Sequence, residues 1–415
     1  MAWLPRRNTG QVGAASPLYA PRVRGITGSV IDASTSLLAA QSHDVVRLAM
    51  GSPAPEAIPS AVFAELLADV ATEGDGAFDY GATEGDPALR EALLAFLAEQ
   101  GAPARPEELL ITSGGMQGLD LVCKLFVGSG DLVVVESPTY TNGTATISGY
   151  EGEMLEVPGD ADGMDVDALE ALVAERGASP KVIYTIPTFQ NPAGTTLSLE
   201  RRERLIELAA AWGSVVLEDD PYSLLRFEGE ELPSLRELGA GRARVIAVHT
   251  FSKILAPGLR VGWVLAEPEV IARMVDARQS MDTCTAPPMQ RLVARFLADG
   301  LADEHLARWR VEYHDRKVAM QVALADELGD FGVSWTDPHG GFFLWLTLDE
   351  RIDTQALFAA ALAEGVAYIP GRAFSVGGRF GNALRLAFSA EPPERAREGI
   401  ARLRRAIETT DDQEG

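Results

Sequence analysis

Val245-Ile246-Ala247-Val248-His249-Thr250-Phe251-Ser252-Lys253-Ile254-Leu255-Ala256-Pro257-Gly258-Leu259-Arg260-Val261-Gly262 is the stretch on which the reading of this chain turns. Its first four residues form an apolar run of the length of a buried strand. Hydroxyl residues then flank Lys253, and Arg260 follows seven residues later. A lysine amine bonds an aldehyde, and hydroxyls beside a guanidinium hold a phosphate, so the segment suits a phosphorylated aldehyde cofactor. The other lysines lack these surroundings: Lys124 lies in an apolar helical stretch, Lys181 just ahead of a strand and Lys317 in a charged helix. Read alone, the segment fits a lysine in a surface loop equally well.

Outward from this stretch, strand-like and helix-like runs alternate from about residue 60 to 290. The clearest strands are Leu132-Val135, Val182-Ile186, Val215-Glu218, Val245-Val248 and Val261-Leu265, with amphipathic helices such as Leu199 to Trp212 between them. The alternation predicts an α/β fold with a mostly parallel central sheet and helices on both faces. A long charged helix, roughly Ala302 to Leu328, leads into a different texture. Strands at Phe342-Leu346, Ala367-Ile369 and Ala383-Phe388, with helices Thr354 to Glu364 and Glu394 to Glu408, predict a smaller α+β domain. The expected division is 1–50 as N-terminal arm and part of the small domain, 51–300 as the large domain and 301–415 as the small domain. Residues 1 to about 30, rich in Gly, Pro and Arg, read as an extended arm, and Thr409 to Gly415 as a disordered acidic tail.

Composition removes several classes of function. With 60 acidic against 36 basic residues the net charge is −24, so no basic stripe is available to neutralise nucleic-acid phosphates. Cys123 and Cys284 are too few for a disulfide framework, the five histidines are scattered, and no metal site is expected. No apolar run is long enough to span a bilayer, and no apolar segment follows the basic start, so a cytoplasmic protein is expected.

Six further segments carry candidate chemistry. Ser113-Gly114-Gly115-Met116-Gln117-Gly118 opens a helix whose free amides suit a phosphate, although a plain glycine turn fits as well. Tyr140 lies just beyond the strand Leu132-Val135, where α/β folds bind ligands and a planar ring can stack; a loop tyrosine is the commoner case. Asn191, between a strand end and Pro192, either donates to a ligand oxygen or forms an Asn-Pro turn. Leu217-Glu218-Asp219-Asp220-Pro221-Tyr222 ends a strand, and an aspartate there suits a protonated pyridine nitrogen; a solvated acidic loop is the alternative. Arg385, within the apolar strand Leu384-Arg385-Leu386, needs a partner: a substrate carboxylate or a structural salt bridge. Phe78-Asp79-Tyr80-Gly81 is a weaker candidate, in which Tyr80 offers a hydroxyl to an anion or simply sits in a turn.

In their order and spacing these segments resemble fold-type-I pyridoxal-phosphate aminotransferases of class I/II, nearest to the branch of 2-aminoadipate aminotransferases and MocR-type catalytic domains. The resemblance runs from Gly51-Ser52-Pro53-Ala54-Pro55 to Arg385. It implies pyridoxal 5'-phosphate as cofactor, Lys253 as its Schiff-base lysine and proton shuttle, and Asp219 on the pyridine nitrogen. It implies that Tyr222 and Asn191 contact the ring hydroxyl and Tyr140 the ring face. The phosphate would be held by the Gly115 and Met116 amides, Thr250, Ser252 and Arg260, and by Tyr80 from the partner subunit of a homodimer. Gly51, Asn191 and Arg385 would meet the substrate. Gly115 and Met116 replace residues whose side chains often assist there, and Met50 and Ser52 depart from the usual Gly-Gly-Leu-Pro. The short segment ahead of Gly51 and the acidic charge argue against a MocR-type regulator.

The function expected is transamination between an L-amino acid and a 2-oxo acid. A β-lyase, decarboxylase or oxidase would use the same contacts, and a non-catalytic binding protein would break at least one of them. Arg22 and Arg24 in the arm are available to pair with an acidic substrate, although packing on a partner subunit explains them as well.

Overall fold

The computed structural model describes residues 18–26, 28 and 41–414; the rest of the expected arm lies outside the described residues. In chain order the strands are β1 (Val46–Arg47), β2 (Leu109–Thr112), β3 (Leu132–Ser137), β4 (Glu153–Asp160), β5 (Gly163–Met164), β6 (Val182–Thr185) and β7 (Val215–Asp219). They continue as β8 (Arg244–Thr250), β9 (Gly262–Leu265), β10 (Ser334–Trp335), β11 (Phe343–Thr347), β12 (Val366–Ala367), β13 (Ile369–Pro370) and β14 (Ala383–Ala387).

Eight of these form one sheet in the order β2-β9-β8-β7-β6-β3-β4-β5. β4, β3, β6, β7 and β8 run parallel, and β9 lies antiparallel between β2 and β8. The near-continuous apolar runs are explained by burial on both faces. Val133 and Val135 enter one core beneath the helices Gly115–Phe126 and Pro268–Gln279, and Val134 enters another on the opposite face with Leu205 and Ile206. The helix Leu199–Trp212 shows how local sequence sets its ends. Ser198 caps it by accepting from Arg201 N, and Gly213 closes it in the left-handed conformation at φ +68°.

The smaller antiparallel sheet has the order β10-β11-β14-β13. The helices Leu301–Leu328 and Pro393–Glu414 pack beside it, and β1 pairs in parallel with β12. Two expectations change here. The expected strand Ala367-Ile369 is split between two sheets at Tyr368, whose buried hydroxyl donates to Thr354 O at 2.7 Å. The expected disordered tail is helical through Glu414, where Thr409 and Thr410 donate back to the carbonyls of Arg405 and Ala406.

The crossover topology puts the C-terminal ends of β3, β6, β7 and β8 side by side, where open α/β sheets bind ligands.

Candidate active site

A cavity of about 230 Å³ opens at those strand ends. Tyr140 follows β3, Asn191 follows β6, Asp219 ends β7, and Thr250, Ser252 and Lys253 follow from β8. Gly51, Gly115, Met116, Tyr222, Arg260 and Arg385 complete the set of predicted residues that line it. Tyr80 does not join them: it is 84% exposed on the outside of the same subunit, beside exposed Phe78. A larger groove of about 760 Å³ lies nearby, lined by Arg226, His339 and Trp335 among others, and it holds no lysine.

One end of the cavity is built for an anion. Thr250 Oγ1 donates to Ser252 Oγ at 2.9 Å, and Arg260 Nη1 reaches the same oxygen at 3.3 Å. Arg260 holds a left-handed backbone at φ +52°, an uncommon state for a residue with a Cβ, and its guanidinium lies against Gly114. A Cβ on Gly114 would sit 2.5 Å from Arg260 Nη2, so only glycine admits the guanidinium at the start of the helix Gly115–Phe126. Free backbone amides, a guanidinium and two hydroxyls thus converge, which is a donor set for a phosphate.

At the centre, Lys253 Nζ donates to Gly51 O at 2.7 Å. Burial, reinforced by the Arg385 and Arg260 charges and opposed by Asp219, pulls the Lys253 ammonium down to about 8. Burial pushes the Asp219 carboxyl up to about 7, against the hydrogen bond from Tyr184 and the Lys253 charge. Both values belong to the protein alone; a cation placed beside Asp219 opposes the push. Tyr222 is buried, edge-on to Phe342 and Phe343, and burial holds its hydroxyl well above the usual range, so it keeps its proton.

The other end carries a buried guanidinium. Arg385 donates from Nη1 to Asn191 Oδ1 at 2.9 Å and from Nη2 to Ala49 O at 2.7 Å, while its buried Nε has no partner. Its guanidinium lies 4.1 Å from the Phe343 ring centre and 5.1 Å from that of Phe374. Burial lowers its ionisation to about 10, which leaves it charged at neutral pH. Because Asn191 Oδ1 accepts from Arg385, its Nδ2 remains a donor.

Met116, which departs from the usual pattern, accepts at Sδ from the Tyr140 hydroxyl at 3.7 Å. Lys317, by contrast with Lys253, is buried in ion pairs with Glu228 and Asp337. Arg22 is exposed and does not line the cavity, and the Arg24 side chain lies outside those described. Two functional neighbours escaped the sequence reading. Phe343 hides in the apolar run Phe342-Leu346, and Tyr184 in Val182-Ile186. Neither carries a local mark: Phe343 is one apolar residue among several, and Tyr184 stands beside a second hydroxyl residue, Thr185.

The family model for aminotransferase class I and II matches residues 43–403. The chain is 41% identical over 372 residues to aromatic-amino-acid aminotransferase 1 of Thermococcus litoralis, covering 88% of this chain and 89% of that one. It is 40% identical over 370 residues to the 2-aminoadipate transaminase of Thermus thermophilus, covering 88% and 91%. Its fold matches LysN, the alpha-aminoadipate aminotransferase of Thermus thermophilus complexed with N-(5'-phosphopyridoxyl)-L-leucine. That match has a TM-score of 0.87 and 38% identity, and covers 95% of this chain and 98% of that one.

Proposed function

The chain belongs to the class I and II aminotransferases, and from that premise we propose that it moves an amino group between an L-amino acid and a 2-oxo acid in two half-reactions, with Lys253 as covalent anchor and proton carrier. It is an aminotransferase that works with pyridoxal 5'-phosphate. The observation that carries the reading is the convergence of Lys253, Asp219 and Arg385 on one cavity, with an anion cradle at its edge.

The donor set fits this cofactor. Thr250, Ser252, Arg260 and the amides of Gly115 and Met116 suit its phosphate, Asp219 its ring nitrogen, and Tyr222 with Asn191 Nδ2 its ring hydroxyl. Tyr140 lies where it can cover the ring face. When bound, the cofactor supplies an electron sink for the pair released as a Cα bond breaks.

The chain's own groups do the rest. Arg385 holds the substrate carboxylate with its remaining donors, and Gly51 leaves room for the Phe343 ring that lies against that guanidinium. Burial and the Arg385 and Arg260 charges favour the neutral Lys253 amine, the form that can accept a proton. With the cofactor bound, Lys253 Nζ would be the group that holds and moves the proton at the substrate Cα. The second half-reaction reverses these moves with a 2-oxo acid, giving ping-pong kinetics.

The exposed pair Phe78 and Tyr80 supports a homodimer in which Tyr80 reaches the partner's phosphate site. The pairing of β1 with β12 supports reading 1–50 as arm and part of the small domain, 51–300 as the cofactor domain and 301–415 as the small domain. Among the described residues no helix is long and apolar enough to cross a membrane, in keeping with a cytoplasmic place.

The test is an absorption spectrum of the purified protein before and after single amino acids, without added 2-oxo acid. Aromatic amino acids and 2-aminoadipate head the panel. A visible band that converts to the aminated cofactor's absorption, with one 2-oxo acid formed per site, is expected. Ammonia, CO₂ or peroxide release with no aminated cofactor would overturn transamination in favour of a lyase, decarboxylase or oxidase.

A further inference from the structure

Tyr184 belongs to neither end of the cavity and does not line it, yet it is fully buried and ends on the central carboxylate. β6 and β7 pair in parallel with Tyr184 opposite Leu217, which puts Tyr184 and Asp219 on the same face, diagonally related. The phenol donates to Asp219 Oδ2 at 2.9 Å. A second, distant residue makes this possible. A Cβ on Gly143 would lie 2.6 Å from the Tyr184 hydroxyl oxygen and 2.7 Å from its ring carbons. Gly143 stands inside the helix Thr141–Gly149, where glycine is a poor helix former, and the room it leaves is filled by this phenol.

We infer that Tyr184 is a positioning residue for the reaction: it fixes the Asp219 carboxylate with one oxygen turned to the cofactor and keeps it an acceptor. The inference rests on the reading that Asp219 meets the ring nitrogen. Burial, with the Asp219 charge, raises the phenol's ionisation well above the usual range, so Tyr184 only donates. A donor fixed on Oδ2 stabilises the anion and biases the proton shared between Oδ1 and the ring nitrogen toward the nitrogen. That positive nitrogen is what makes the ring an electron sink. Other groups act on the same carboxylate: Lys253 favours its charge, whereas Asp220 and Glu136 oppose it. Of these, Tyr184 makes a direct hydrogen bond to it.

The experiment compares the holoprotein with Tyr184→Phe, Gly143→Ala, Asp219→Asn and the Tyr184→Phe/Asp219→Asn double variant. Two readouts are taken: the pH midpoint of the visible cofactor band and the cofactor dissociation constant from titration of apoprotein. Tyr184→Phe is expected to raise the midpoint by roughly half a unit to one unit and the dissociation constant about tenfold. Gly143→Ala, which displaces the hydroxyl without deleting it, should shift both the same way. In the Asp219→Asn background the Tyr184→Phe effect should vanish, because the phenol acts through that carboxylate. Unchanged midpoint and affinity in Tyr184→Phe, with both altered in Asp219→Asn, overturn the role of Tyr184. An Asp219→Asn protein unchanged in both readouts instead overturns the reading of Asp219. A Tyr184→Phe effect that persists in the double variant assigns the residue to packing alone and overturns the inference.

Discussion

Gly51→Ala is a single added methyl group with a calculable collision. An alanine Cβ at this position would lie 2.5 Å from Phe343 Cζ and 2.9 Å from Cε1. Carbon atoms rest at about 3.5–4.0 Å, so the ring must retreat by about 1 Å or the backbone at residue 51 must move. Neither is free. The Phe343 ring lies 4.1 Å from the Arg385 guanidinium, and Gly51 O accepts from Lys253 Nζ at 2.7 Å. Overpacking of this kind costs about 1–3 kcal/mol of stability. Loosening the cation–π contact costs a further 0.5–2 kcal/mol or so at the Arg385 end, corresponding to about a 2- to 30-fold rise in the amino-acid concentration that half-converts the cofactor. Thermal melting and spectral titration with the best amino acid of the panel measure the two effects. Phe343→Leu in the same background removes the collision, and the double variant should melt above Gly51→Ala alone. A Gly51→Ala protein that melts and titrates like the parent would refute the argument, since it would mean that the 51–343 contact is slack.

Arg385→Lys keeps the charge but loses the fork that engages Asn191 Oδ1 and Ala49 O; kcat/KM for amino acids should fall about 10²-fold or more while the cofactor spectrum stays the same, as stopped-flow half-reactions can show. The apoprotein should lose stability as pH rises toward neutrality. Burial raises the proton affinity of Asp219 to about 7, above its unfolded value, so between about pH 4 and 7 the native state holds a proton that the unfolded chain has released, and stability falls across that window. Melting curves of the apoprotein against pH should show this fall, and Asp219→Asn should flatten it; an equal slope in both proteins would contradict it.

How far the sequence speaks for itself depends on range. The strands around Lys253 were legible because burial on both sheet faces writes continuous apolar runs, and Leu199–Trp212 because Ser198 and Gly213 mark its ends locally. The antiparallel insertion of β9 was not legible, since Gly262–Leu265 reads like any parallel core strand. Arg385 could be flagged as a buried charge in need of a partner, but its bonds to Asn191 and Ala49 span 194 and 336 positions and leave no local mark. Tyr184 was hidden for the opposite reason. A tyrosine suits any strand, and only its placement opposite Gly143 reveals the polar task of its hydroxyl.

The bonds that close the cavity have a kinetic consequence. Lys253 meets Gly51 across 202 positions, and Arg385 meets Ala49 across 336. Loops of that length close late, after the local helices and neighbouring strand pairs have formed. During synthesis, the Arg385 end of the pocket cannot exist until residue 385 has been made, and by then Lys253 and the anion cradle have long been available. A nascent chain therefore receives the Lys253 and Arg260 end of the cavity before the Arg385 end.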